Sequence, residues 1–204
     1  MLRTLIIGLA VVVGLTAGPV QAQTPGPQFG PFYSGQLLVA KPSMADPRFG
    51  ETVIYLAEHD RKGAFGLILN RPLLRADIAD FMKGFKMAPD PDISGRFNLF
   101  SGGPVEPGAG FVLHTNDYQT DSTGMVRGQV AVTASLKTLR DIGLGKGPRR
   151  YGVYLGYAGW GPGQLEREML MGGWDIAPYD EAIVFDDEFK TKWTRARATI
   201  GIPM

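Results

Sequence analysis

The chain contains no cysteine. Disulfides, thiolate metal ligands, a cysteine nucleophile and a lipid anchor on cysteine are therefore excluded together. Histidine is almost as scarce, with only His59 and His114 present. A zinc site would have to be assembled mainly from carboxylates, which is an uncommon ligand set, so neither a metal nor a cofactor is expected. Charge of one sign is lacking too, since 21 Lys and Arg stand against 20 Asp and Glu. The broad positive field that non-specific nucleic-acid binding requires is absent. Long hydrophobic runs are missing as well: the apolar stretch at residues 5–15, "LIIGLAVVVGL", includes Gly8 and Gly14. It is shorter than the roughly 20 residues of a membrane-spanning helix.

What that stretch does have is the form of an export leader. Arg3 is the one charged residue before it, and "VQA" at residues 20–22 carries the small residues at minus three and minus one that signal peptidase reads. Cleavage is expected after Ala22, with residues 1–22 as signal peptide. The product is then exported to the periplasm and keeps no stable membrane anchor. An uncleaved anchor is the bland alternative. Loss of Arg3 brings the basic and acidic residues to equal numbers. Residues 23–34, "QTPGPQFGPFYS", read as a Pro/Gly-rich tether. The remainder, 35–204, suits one domain able to bury about 70% of its unfolded surface.

Within that domain short apolar runs alternate with turn signals. "QLLVA" (36–40), "TVIYLAE" (52–58) and "AFGLILN" (64–70) read as three consecutive strands, the last two joined by "HDRKG". In "RADIADFMKGF" the apolar residues Ile78, Phe81, Met82 and Phe85 line one helix face, and a surface loop, "MAPDPDISG", follows. Strands return at "FNLFSG", "GFVLHT" and "QVAVTAS", separated by the turn-rich "GGPVEPGAG" and "NDYQTDSTG". A helix over 136–142 is capped by Ser135, and "RYGVYLGY" reads as a strand buried on both faces. "EAIVF" reads as a last strand, and Phe189, Trp193, Ala196 and Ile200 align on a closing helix. The pattern is α+β, with a mixed and largely antiparallel sheet and flanking helices.

The glycine clusters fail as nucleotide loops. "GWGPGQ" lacks the G-x-G-x-x-G spacing, and "GLGKGP" has glycine where a P-loop needs serine or threonine after lysine. Ser101 and Ser135 lack the G-x-S-x-G elbow. His59 and His114 stand at strand ends, where hydrogen bonding to a nearby loop competes with a catalytic role. Asn70 and Arg71 in "NRP" suit a turn, the asparagine in left-handed φ and the arginine either reaching an anion or holding a loop by a salt bridge. In "GYAGWGPGQLEREM" (156–169) Trp160 is an apolar anchor and Pro162 suits a first helical position. Glu166 favours the early-turn dipole, whereas Gln164 has no backbone role.

Taken together, "MADPRF" (44–49), Glu58–His59, "GLILNRP" (66–72), "GGPV" (102–105), "GFVLH" (110–114), "GYAGWGPGQLEREM" and Trp193 resemble the YqgE/AlgH family of bacterial proteins. The resemblance runs from about residue 35 to residue 202. It implies a single α+β domain on partly barrel-like, overlapping sheets, and it carries over no catalytic residue or cofactor. One branch is linked by name to the regulation of alginate synthesis, with transcriptional roles proposed. Two departures matter: relatives often place cysteine where this chain has Ala57, and many begin without a leader. The leading reading is an exported, non-enzymatic binding or regulatory accessory protein. Asp46, Arg48, Glu58, His59, Asn70, Arg71, His114, Gln164 and Glu166 would face a protein or small-molecule partner, with no nucleic acid among the partners if the chain is exported. A hydrolase or transferase using His59 or His114 with Glu58 or Glu166 is one alternative. The other is a cytosolic transcriptional regulator, which requires the leader to be misassigned.

Overall fold

A computed structural model describes residues 31–86 and 90–201. The expected leader, most of the tether, and residues 87–89 of the loop after the first helix lie outside the described residues. The elements run β1 (Leu37–Ala40), β2 (Val53–Asp60), β3 (Gly63–Ile68), β4 (Pro72–Asp77), α1 (Ile78–Gly84), β5 (Arg96–Ser101), β6 (Val105–Thr115), β7 (Thr123–Arg127) and β8 (Val130–Thr133). They continue as α2 (Leu136–Gly143), β9 (Tyr151–Trp160), α3 (Gln164–Leu170), β10 (Trp174–Ala177), α4 (Glu181–Phe185) and α5 (Lys192–Ala198).

The strands form one curled sheet in the order β10-β1-β2-β3-β9-β6-β8-β7, with the β4–β5 pair attached to β9. Every pairing is antiparallel except β5 with β9, so the sheet is mixed and largely antiparallel, as expected. β9 belongs to both halves. Leu155 back to Tyr151 pair with Gly110 to His114 of β6 on one side, and Val153–Leu155 lie parallel to Leu99–Ser101 of β5 on the other. Beyond the bend its end pairs with β3 instead, Trp160 opposite Ala64 and Ala158 opposite Gly66.

Three packed clusters cover the sheet. Strict alternation in β1 and β2 sends Leu37, Val39, Val53 and Tyr55 to one face and Leu38, Ala40, Ile54 and Leu56 to the other. Both faces are buried, which is why these strands read as continuous apolar runs. The first face packs against Phe100, Leu113, Tyr154 and α4–α5; the second lies under Trp160, Trp174 and Leu165 of α3. Helices α1 and α2 cover β5 and β9 through Ile78, Met82, Leu139, Phe97 and Val153.

Several sequence expectations change. "EAIVF" is helix α4 and not a strand. Asp180 accepts from the amides of Ala182 (2.8 Å) and Ile183 (3.1 Å), a cap that fixes a helical start, while Ile183 and Val184 bury one face. The last strand is β10, paired with β1. Residues 72–77 extend as β4, and α1 starts only at Ile78, where Asp77 caps it. The supposed turn "GGPVEPGAG" is largely β6, and β7 emerges from the end of "NDYQTDSTG". Pro162 is not the first helical residue, since α3 begins at Gln164 after Gly163 in left-handed φ. At the end of the expected tether Ser34 is fastened to β2, accepting from the His59 amide at 2.7 Å and donating to its carbonyl.

The α4–α5 corner is closed by a buried amine. Lys192, 1% exposed, donates to the carbonyls of Ile183 and Val184 and to Asp186 at 3.0 Å. Burial pushes its ammonium down, against the pull of Asp186. Burial alone would raise the Asp186 carboxyl, but hydrogen bonds from Arg195 and Lys192 outweigh it and lower the group to about 2. The lysine's opposite preference makes the pair worth less than the carboxylate alone suggests. A depressed carboxylate stabilises the fold above its unfolded value, and that stability is lost as pH falls from 3.8 through about 2. Asp186→Asn is expected to cost about 2 kcal/mol near neutrality in urea titrations. The gap from the parent should narrow below pH 4 and close near pH 2.

Candidate functional site

The 44–49 loop, the end of β3, the β5–β6 turn and the β9–α3 turn meet on one face. Asp46 and Arg48 form a local clip: the arginine amide, Nε and Nη2 all reach the carboxylate, Nη2 at 2.6 Å. The hydrogen bond from Arg48 holds the Asp46 carboxyl below the usual carboxylate range. The clip is exposed, so its work is to shape the loop more than to stabilise the domain. It directs Phe49 inward, with ring centroids 6.5 Å from Trp160 and 5.4 Å from Trp174.

Asn70 and Arg71 support the same loop from below. Asn70 accepts from the Val53 amide at 3.0 Å and donates to the Glu51 carbonyl at 2.8 Å, while Arg71 donates to the Gly50 carbonyl at 2.6 Å. Glu51, at φ 55, is the residue in left-handed conformation, and Asn70 is not. The "NRP" turn thus straps a strained corner through backbone carbonyls, not through a salt bridge.

Gln164 also finds its role. Its side-chain oxygen accepts from the Gly161 amide at 3.1 Å and its amide donates to Glu168 at 2.9 Å. The other Glu168 oxygen accepts both indole N–H groups, from Trp160 at 2.9 Å and Trp174 at 2.8 Å. One carboxylate therefore ties β9, α3 and β10 together. Above it lies a cleft of about 430 Å³ lined by Met44, Asp46, Arg48, Phe49, Gln164 and Met171, among others. A second cleft of about 480 Å³ holds Asn70, Arg71, Leu73 and Ser101. The two share Arg48 and Pro104 and so form one composite groove.

Of the nine residues singled out from sequence, Asp46, Arg48, Asn70, Arg71 and Gln164 come together here. The remaining four do not line these clefts. Glu58 points to solvent from β2. His59, 3% exposed, accepts the Tyr33 amide on Nδ1 at 3.1 Å, which leaves its proton on Nε2 facing Glu166 at 3.3 Å. Its ring lies between Tyr33 and Phe32. His114 is fully buried between β6 and β8: Nδ1–H donates to the Thr115 carbonyl at 2.8 Å, and Nε2 accepts from the Thr133 hydroxyl at 2.9 Å. Burial pushes the His114 imidazolium down, favouring the neutral ring. Among the described residues no three His, Asp or Glu side chains gather to hold a metal ion. Sequence reasoning passed over Glu168, Phe49 and Trp174. Only Glu168 had a clear signal, four residues after Gln164 on the same helix face.

Comparison with known proteins places this arrangement. The AlgH-like family model matches residues 37–204. The chain belongs to that family. It is 44% identical over 174 residues to a UPF0301 protein of Rhodospirillum rubrum, covering 84% of this chain and 88% of the relative. A UPF0301 protein of Afipia carboxidovorans is 40% identical over 199 residues, covering 94% and 93%. The solution structure of AlgH from Pseudomonas aeruginosa is similar with a TM-score of 0.72 at 36% identity, covering 89% of this chain and 94% of that one. A crystal structure of DIP2367 from Corynebacterium diphtheriae, 22% identical with a TM-score of 0.62 over 87% and 91%, shares the fold.

Because Glu168 satisfies two indole donors on residues no more than 6% exposed, removing its acceptor oxygens leaves both unpaired. Glu168→Leu is expected to lose about 3 kcal/mol in chemical denaturation and to change the tryptophan emission of the native state. Glu168→Gln, which keeps one acceptor oxygen for both indoles, should lose less than half of that.

Proposed function

We propose that this AlgH-like protein is an exported binding or accessory protein without catalytic chemistry of its own. Its composite groove takes apolar side chains of a protein partner. The observation that carries the reading is where large apolar side chains remain exposed. Leu73 (54% exposed) lines one cleft and Met171 (78%) lines the other, so each half of the groove carries a large apolar side chain open to solvent. Apolar surface gathered at the edge of a concave site is the signature of a docking face, whereas the same residues scattered singly would need no explanation. The backbone straps from Asn70 and Arg71 hold the groove in a preformed shape, which limits the ordering cost of binding.

The hydrolase or transferase reading finds its best support in the His59–Glu166 contact. Both ring nitrogens of His59 are already engaged, however, and the side chain is 1% exposed, which favours a structural role for this histidine over proton transfer. For export, support comes from the form of the leader itself. An exported copy would not meet the chromosome, so the transcriptional reading requires the protein to stay in the cytoplasm.

Two measurements test this. A photo-crosslinking amino acid placed at Leu73 or Met171 in living cells should give an adduct of one common mass, absent when the probe is at Lys137 on α2. Identical adducts from all three positions, or none, would refute the docking face. Cell fractionation followed by N-terminal sequencing should recover the protein from the periplasm beginning at Gln23; recovery from the cytoplasm beginning at Met1 would refute export.

A further inference from the structure

The sheet topology gathers four arginines at one end of β4, β5 and β9. β5 and β9 run parallel, with Leu99 opposite Val153, so their starting ends lie side by side. Arg96 opens β5, and Arg149 and Arg150 immediately precede β9. β4 returns antiparallel to β5 and sets Arg75 opposite Asn98. All four arginines line a cavity of about 250 Å³ together with Asn98 and Asp187. None of its lining residues lines the two clefts of the docking face.

The counter-charge there is incomplete. Glu181 serves both Arg149, at 3.3 Å, and Arg150, at 3.2 Å. Asp187 accepts from Asn98 at 2.8 Å. Asp77, opposite Arg96 in the ladder, is committed to capping α1. Arg75 and Arg96 have no ion-pair or side-chain hydrogen-bond partner among the described residues. Like charges set together across neighbouring strands are destabilising unless something neutralises them. Nearly equal numbers of acidic and basic residues in the whole chain make this a local concentration, not the edge of a general positive field.

We propose that this cavity is a binding site for a diphosphate group, either as the free anion or as the end of a larger phosphorylated molecule. Guanidinium presents a planar fork of N–H donors that matches phosphate oxygens in pairs. Two forks with no partner and two sharing one carboxylate offer more donors than a single carboxylate can accept. A diphosphate supplies several anionic oxygens within a small volume, and the polar lining leaves little room for a large apolar body. Tyr151 and Phe185 at the wall provide a surface on which an attached ring could rest.

Calorimetric titration of the mature protein with sodium pyrophosphate, ADP, sulfate and succinate tests the site. Pyrophosphate is expected to saturate at one per chain, more tightly than sulfate or succinate, with affinity falling as salt rises. Arg75→Gln combined with Arg96→Gln should weaken it at least about tenfold, as expected for lost charge-assisted hydrogen bonds. Circular dichroism should show the variant folded, and Lys137→Gln should bind like the parent. ADP binding more tightly than pyrophosphate assigns the group to a larger ligand; equal binding assigns it to the anion alone, and both support the site. Sulfate or succinate binding as well as pyrophosphate, or binding that survives the double substitution, would overturn the proposal. So would the failure of pyrophosphate to bind.

Discussion

The bend of β9 at Gly156 is the constraint on which the rest of the structure depends. Its φ of 68 is a left-handed conformation, and a Cβ there would stand 2.5 Å from the Gly103 carbonyl oxygen. The crossing chain is equally tight: a Cβ on Gly102 would lie 2.3 Å from the Gly156 oxygen, and one on Gly103 2.1 Å from the Tyr157 carbonyl carbon. Three glycines therefore allow two backbones to touch where side chains would hold them apart. The contact is what lets one strand leave the β5–β6 half and join β3. Without it the two halves would share no strand and the sheet would have no reason to curl.

The candidate groove follows from that bend. Pro104 comes directly after the glycine pair, and the end of β9 carries Trp160 toward α3. The same crossing therefore delivers the β5–β6 turn and the tryptophan to one place. Glu168 then gathers the indoles of Trp160 and Trp174, and Phe49 closes over both. Each part is ordinary in isolation. Their joint position depends on a backbone contact between residues more than fifty places apart in the chain.

That distance explains what was legible beforehand. The apolar runs of β1 to β3, the faces of α1 and α2 and the α+β class could be read locally, because each reflects a pattern within a dozen residues. Five of the nine site residues meet because four lie in turns or loops and Gln164 opens the helix directly after one, and turns at strand ends cluster in a curled sheet. The histidines follow the reading in which a strand-end imidazole hydrogen-bonds its neighbourhood: His114 fills a core hydrogen-bond slot and His59 pins residues 33 and 34 to β2. Helix α4 was misread because a five-residue apolar run carries no periodicity to separate helix from strand. Its cap at Asp180 was the only local cue, and the decisive partner, Lys192, comes from the next helix.

Glycine and arginine take opposite roles in this chain. At Gly102, Gly103 and Gly156 the absence of side chains is what holds the domain together, since close backbone approach replaces packing. At Arg75, Arg96, Arg149 and Arg150 long charged side chains are brought to one end of the sheet by strand order, at a cost in mutual repulsion. Strand order could have spread them, because β4 presents other exposed positions for a basic residue at Leu73 and Leu74. A near-neutral chain has no general surplus of positive charge to account for the cluster. Repulsion concentrated in one cavity, with only Glu181 and Asp187 to relieve it, is therefore better explained by what the cavity binds than by what it adds to stability.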